Sequence, residues 1–253
     1  MGRSDGLVDP ADAWGDHDHA TEYERGRPSY PPEVLAHVAG ALDLRRGRRV
    51  LDVGAGTGKF TRLLTDTGAE VLALEPTAGM RSVLAAALPE VEIVDGTAEG
   101  IPLPDESVDA LCAATAFHWF DHEAALPEMA RVLRAGGAMA LVWNERDESE
   151  PWVRRLTEII RWDGYRPYGI KFDWRPTIEH GDRFHMVSRR QFPFVQVLDR
   201  RLLVDRVCSI SYIATLSEAD RQPILAEVAD LVADFHEPFE LPYLCDVIIA
   251  RRL

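Results

Sequence analysis

The sequence has 253 residues, and 42 acidic against 28 basic side chains leave a formal charge of −14. That balance argues against a general nucleic-acid binder, which needs a basic footprint to displace counterions from phosphates. The apolar share of 46% is too high for a disordered chain. Cys112, Cys208 and Cys245 are too scattered for a disulfide framework and form no CxxC pair, so neither staples nor a structural zinc is expected. No apolar stretch reaches the roughly 18–20 residues of a membrane span. Met1–Asp18 is acidic and lacks the basic start and apolar centre of a secretory signal. The expectation is a soluble cytoplasmic protein with no membrane partner.

Residues 1–22 read as a polar, mobile tip. The segment Tyr23-Glu24-Arg25-Gly26-Arg27-Pro28-Ser29-Tyr30-Pro31-Pro32 holds too many breakers for continuous helix, and Pro31 or Pro32 can begin the next one. Val34, Leu35, Val38 and Leu42 then recur at helical spacing. From Arg49 onward short apolar runs alternate with helical stretches. The runs are Val50–Val53, Val71–Leu74, Val91–Val94, Val108–Ala113 and Ala138–Trp143, and the helices between them are Phe60–Thr67, Met80–Ala87 and Asp121–Leu133. Strands apolar on both faces and separated by helices signal an α/β fold, a parallel sheet covered on each side. Beyond Trp143 a helix around Trp152–Ile160 is expected to end near Gly164, and 164–185 reads as a connection or cap. Phe192–Leu198 and Leu241–Ala250 read as late strands, with helices at Leu203–Ala214 and Ile224–Phe235 between them. They suit an antiparallel edge on the sheet, and no second domain is expected.

The sharpest feature is Asp52-Val53-Gly54-Ala55-Gly56-Thr57-Gly58-Lys59, at a strand-to-helix turn. Its glycines permit positive φ and close backbone approach, and a helix start adds unpaired N–H groups. Such a loop suits a carboxylate, a phosphate or a ribose. A dinucleotide fingerprint would want glycine where Lys59 stands, and no P-loop Gly-Lys-Ser/Thr is present. Asp52 within the turn opposes a pyrophosphate but can meet an ammonium group. The second strand ends at Glu75, where a carboxylate can accept both hydroxyls of a ribose. S-adenosylmethionine (SAM) carries amino, carboxylate and ribose groups together.

With these residues the sequence resembles the class I SAM-dependent methyltransferases, in particular the small-molecule branch with the trans-aconitate-type enzymes. The resemblance extends through Leu74-Glu75-Pro76, Gly96-Thr97-Ala98-Glu99-Gly100-Ile101-Pro102-Leu103-Pro104-Asp105, Ala116-Phe117-His118-Trp119-Phe120-Asp121, Arg131–Gly137 and Trp143-Asn144-Glu145-Arg146-Asp147. It covers residue 20 or so to the end. It implies a Rossmann-like, doubly wound sheet of seven strands, the last antiparallel and inserted beside the fifth, with residues 1–253 forming one domain and 145–190 a substrate-side cap. It also implies roles at SAM. Gly54, Ala55, Gly56 and Thr57 would pass around the methionine part, with Asp52 near its amino group. Glu75 would hold the ribose. Pro76 and Met80 would flank the adenine, and Thr97, Ala98 and Glu99 would line its polar edge. Ala114 and Thr115 would sit beneath the methionine chain, and Tyr23 and Arg27 would cover SAM from the N-terminal side, with Arg27 suited to a carboxylate.

His118 follows the fourth strand and is the candidate base for an acceptor hydroxyl; the alternatives are a polar pocket wall and a helix-capping residue. Trp14, Tyr23, Tyr30, His118, Trp119 and the segment 145–185 are candidate walls for a small, partly planar or apolar acceptor. Asp121 is expected to cap the following helix and His122 to point to solvent. The Asp16-His17-Asp18-His19 cluster lacks a second ligand pair, so no metal is expected. The leading reading is methyl transfer from SAM to a small molecule on O, C or N. The rivals are a SAM-binding protein of the same fold without methyl transfer, and a nicotinamide-dependent oxidoreductase. Oligomeric state is not legible in the sequence.

Overall fold

In a computed structural model that describes residues 17–160, 178 and 181–253, the apolar runs become seven strands. They are β1 (Arg49–Val53), β2 (Glu70–Leu74), β3 (Glu92–Val94), β4 (Val108–Ala114), β5 (Leu133–Arg146), β6 (Phe184–Leu198) and β7 (Phe239–Arg252). They form one sheet in the order β3-β2-β1-β4-β5-β7-β6. The pairs β2/β3, β1/β2, β1/β4 and β4/β5 are parallel. Arg251 at the end of β7 donates to the Gly136 carbonyl at the start of β5, and Arg252 donates to that of Leu133. β7 therefore runs antiparallel to β5, inserted beside it as the resemblance implies. The Leu253 N–H donates to the Arg183 carbonyl, and Arg189 pairs with Asp246, so β6 opposes β7 as well.

The chain divides into two units. The sheet unit comprises Ser29–Asn144, Asp173–Phe192 and Cys245–Leu253. Its helices are α2 (Pro32–Leu42), α3 (Lys59–Thr65), α4 (Ala78–Ala87) and α5 (His122–Val132). The period of two in a strand sends alternate residues to opposite faces, and both faces are covered. Leu51 and Val53 of β1, Leu72 and Leu74 of β2, and Leu111 and Ala113 of β4 pack with Ala125, Met129 and Val132 of α5. Ala73 of β2 faces the other way and packs with Leu84 and Leu88 at the α4 end. Each large apolar side chain so buried contributes about 1.5–3 kcal/mol. Asp121 caps α5 by accepting the Glu123 N–H, as expected.

The helical unit comprises Met1–Pro28, Glu145–Phe172 and Pro193–Leu244. Its helices are α1 (His17–Gly26), α6 (Pro151–Ile160), α7 (Arg200–Cys208), α8 (Ser211–Ala214) and α9 (Glu218–Leu231). Val153 and Leu156, Leu203 and Val207, Ile213, Val228, Leu241 and Tyr243 form its core. α1 begins within the segment read as a mobile tip and stops at Gly26, ahead of Arg27-Pro28, where a proline disfavours helix in the residue before it.

Among the boundaries that differ from the expectation, three have a local cause. The single helix expected over Leu203–Ala214 is two, because the Ser209 hydroxyl bonds back to the Arg206 carbonyl at 2.7 Å and ends the first. The helix expected from Ile224 starts at Glu218, where Ser217 accepts the Asp220 N–H at 3.2 Å and outweighs Pro223 as a boundary. β6 starts at Phe184 rather than Phe192. It is the edge strand, so Arg189 and Arg190 within it remain exposed and no apolar run marks its first half, 184–191. Among the described residues no helix is long and apolar enough to cross a membrane.

Candidate functional site

In a parallel sheet the carboxyl ends of all strands meet one edge, and ligands collect where the strand order reverses. Here that point lies at β1, with β2 on one side and β4 on the other. The segments after β1, β2, β3 and β4 are those that carry Gly54–Gly58, Glu75, Thr97–Glu99 and Thr115–Trp119.

The glycine loop is folded by backbone bonds. The Gly54 and Ala55 N–H groups both donate to the Leu74 carbonyl, at 2.8 and 3.0 Å. Gly54 has φ 72°, and a Cβ on it would meet the Ala116 Cβ at 2.7 Å. Gly56 has φ 58° and open space where its Cβ would stand. Its N–H donates to Glu75 Oε2 at 2.9 Å, while Glu75 Oε1 accepts the Thr77 N–H at 2.9 Å. Glu75 is only 5% exposed. Burial pushes its carboxyl up, against the Thr77 and Gly56 bonds and the Arg81 charge, which hold it down. The Thr77 hydroxyl bonds to the carboxylate as well, and of about four acceptor positions on a carboxylate this leaves one for a ligand hydroxyl.

Asp52 is buried behind the loop. Its Oδ2 accepts the Thr61 hydroxyl at 2.7 Å, and its Oδ1 has no partner among the described residues. Burial pushes the carboxyl up to about 7; the Thr61 bond opposes the rise and the Glu75 charge adds to it. Two buried acids around an open loop favour a cationic or hydroxyl-bearing ligand and oppose a pyrophosphate.

After β3, Thr97 is exposed and Ala98 is buried. Glu99 Oε1 accepts the Asp121 N–H at 2.8 Å. Arg131 fixes the rest of this loop: its guanidinium donates to the Ile101 and Leu103 carbonyls, Asp105 and both Glu128 oxygens, each at 2.8 Å. The Ile101 N–H returns a bond to Glu128. After β2, Pro76 is exposed and Met80 is buried. After β4, Ala114 is half-buried, Thr115 takes φ 55°, and its hydroxyl lies 3.0 Å from that of Tyr30. Tyr30 in turn meets the Phe60 ring edge-on.

His118 stands in a single 3₁₀ turn, Phe117–Trp119, half-buried with its ring 4.8 Å from Trp119 and 4.5 Å from Trp143. His122 does not point to solvent. Its ring stacks on Phe117 at 4.3 Å and its Nε2 lies 2.9 Å from the Phe117 carbonyl, because the tight turn before α5 brings that apolar ring under the first helical residue.

A methyltransferase-domain family model matches residues 51–141. An uncharacterized methyltransferase of Mycobacterium tuberculosis is 46% identical over 211 residues, 83% of this chain and 82% of that protein. The chain belongs to the class I SAM-dependent methyltransferases. A demethylmenaquinone methyltransferase of Paenarthrobacter aurescens is 30% identical over 124 residues, 49% of each chain. The crystal structure of a SAM-dependent methyltransferase from Aquifex aeolicus superposes with a TM-score of 0.54 at 17% identity, over 92% of this chain and 98% of that one, and shares the fold.

Within this methyltransferase the sheet unit ties Gly54, Ala55 and Gly56 to Leu74 and Glu75 at the end of β2 by direct bonds, holds Asp52 through Thr61, and carries Thr57, Pro76, Met80, Thr97, Ala98, Glu99, Ala114, Thr115, Tyr30, His118 and Trp119 on the segments named above. Tyr23 and Arg27 belong to the helical unit, where Arg27 lies over the Tyr23 ring at 5.1 Å and donates to the Ser209 carbonyl at 2.9 Å. Trp14 and the side chains of Asp16–His19 lie outside the described residues. Thr61, Glu128 and Arg131 were not anticipated as site-holding residues. Arg131 belonged to a quoted motif, but only the long-range bonds reveal what it fastens.

Proposed function

We propose that this methyltransferase moves the methyl group of SAM to a small-molecule acceptor at the edge formed by the loops after β1–β4. The observation that carries the reading is the pair of buried acids, Asp52 with an unpartnered oxygen and Glu75 tied to Gly56, around a loop that leaves room at Gly56. Asp52 fits the ammonium of SAM, Glu75 its ribose hydroxyls, and Gly54–Thr57 its methionine part. Pro76, Met80 and Thr97–Glu99 form the adenine side, with Ala114 and Thr115 beneath. When bound, SAM supplies a methyl carbon already activated by a positive sulfur. The chain's own contribution is alignment and exclusion of water. Tyr30, His118 and Trp119 are the proposed acceptor walls, and His118 the group that takes a proton when the acceptor arrives protonated.

The small-molecule assignment is supported by the demethylmenaquinone methyltransferase among the relatives. The 83% span shared with the mycobacterial relative supports reading the chain as one working domain. Its three cysteines are free, as suits a reducing, cytoplasmic setting.

The test is calorimetric titration with SAM, S-adenosylhomocysteine and NAD. Micromolar binding of both adenosyl ligands, weakened by Glu75→Ala, supports the site, and NAD binding in their place overturns it. Turnover of an acceptor panel then separates a transferase from a SAM-binding protein. A kcat–pH profile of His118→Gln separates a base, which loses the rising limb, from a wall, which keeps it.

A further inference from the structure

We propose that Arg146, Arg206 and Arg27 form a second binding site, within the helical unit, for the oxyanion of a small carboxylic acid or phosphate ester. Arg206 is 5% exposed. Its Nε donates to the Tyr243 hydroxyl at 2.8 Å, its Nη1 reaches Ser209 Oγ at 3.5 Å, and the tyrosine hydroxyl passes its own proton toward Gln196 at 3.4 Å. Arg146 donates to the Thr157 hydroxyl at 3.2 Å, and the N–H of the next residue, Asp147, donates to the Pro242 carbonyl at 2.9 Å, which sets Arg146 beside Tyr243, the partner of Arg206. Arg27 joins them through the Ser209 carbonyl, so two of the three guanidiniums converge on one residue.

The bonded partners of Arg146 and Arg206 are thus neutral oxygens. Among the described residues neither arginine has a carboxylate within ion-pair distance, whereas most other arginines that the chain uses structurally do, as with Arg189–Asp246 and Arg131–Glu128. Glu148 lies within electrostatic reach of Arg146 without bonding to it. Burial, with Arg206 and Arg27 beside it, pushes the Arg146 guanidinium down to about 10, against Tyr243 and Glu148. Arginine is the residue suited to forked recognition of carboxylate and phosphate. Arg206 is buried and Arg146 half-buried, and cations so withdrawn from water and held only by neutral groups are costly until an anion joins them. An oxyanion would pair the N–H groups that Arg146 and Arg206 do not spend on these oxygens, and would remove the mutual repulsion.

The test follows the melting temperature of the whole protein at fixed ionic strength, titrated with sodium succinate and separately with inorganic phosphate. A ligand that binds only the folded state raises Tm progressively. At least one of the two anions should do so, the responsive one identifying the chemistry as carboxylate or phosphate. Arg146→Gln should weaken the response about tenfold or more; where it does not fold, Arg206→Lys, which keeps the charge and loses the fork, takes its place. The response should persist at saturating S-adenosylhomocysteine. No rise beyond that of sodium chloride, an equal response in the variant, or abolition by S-adenosylhomocysteine would each overturn the proposal, the last because the arginines would then be holding the cofactor's own carboxylate. Where the adenosyl ligands fail to bind at all, the succinate and phosphate titrations still decide.

Discussion

Glu75 accepts the Gly56 N–H at 2.9 Å, so the acid at the end of β2 and the middle of the glycine loop after β1 are one hydrogen-bonded unit. The acid proposed for the ribose therefore also shapes the loop proposed for the methionine part. Glu75→Ala removes two backbone partners and should weaken SAM about tenfold or more while lowering stability by about 1–3 kcal/mol. Glu75→Gln, which keeps one acceptor, should be intermediate in both. Parallel calorimetry and denaturant unfolding check this, and an unchanged SAM affinity in the alanine variant would remove Glu75 from the site.

Asp52 gives a pH dependence of defined sign. Its folded pKa, about 7, lies above its unfolded value, so the folded state holds the proton more tightly. Stability from this group is highest below the unfolded pKa of about 4, falls as pH rises through the interval, and is lost by about pH 8. Asp52→Asn should therefore stabilise the ligand-free protein at pH 8, by at most about 4 kcal/mol, with the gain shrinking towards pH 5. The same variant should bind SAM more weakly at pH 8. Thermal melts across this range, with and without SAM, test both halves.

Gly54→Ala combines a positive φ with a Cβ 2.7 Å from that of Ala116. Neither strain relaxes without moving the loop, so a loss of about 1–3 kcal/mol is expected, together with SAM binding. Gly56→Ala meets open space and bears only the φ cost. It should be the milder for stability, yet still impair binding where the ligand occupies that space. Urea midpoints and calorimetry separate the two effects.

Arg131→Met should leave the Ile101 and Leu103 carbonyls and Glu128 without the guanidinium that joins them. We expect a loss of about 2–3 kcal/mol and faster amide exchange across 97–105, with the exchange at Gly54–Gly58 unchanged. Hydrogen-exchange mass spectrometry checks the locality. Uniformly faster exchange would show that the clip serves the whole sheet rather than the loop.

The sequence by itself determined the α/β alternation, because strands buried on both faces must be continuously apolar, as Val50–Val53 and Val71–Leu74 are. It also determined the loop, since Gly54, Gly56 and Gly58 leave a local mark, and the Asp121 cap, which acts within two residues. Only the tertiary structure decided what depends on distant partners. Thr61 holding Asp52, Arg131 fastening the loop after β3, and His122 stacking on Phe117 rest on a side chain reaching another part of the chain or lying back across a turn, which no spacing announces. The edge strand β6 was partly hidden for the related reason that its exposed face is free to carry charge. The gathering of Arg27, Arg146 and Arg206, separated by 119 and 60 positions in the sequence, shows the same limit, because charges far apart along the chain become a site only when folding removes the water between them.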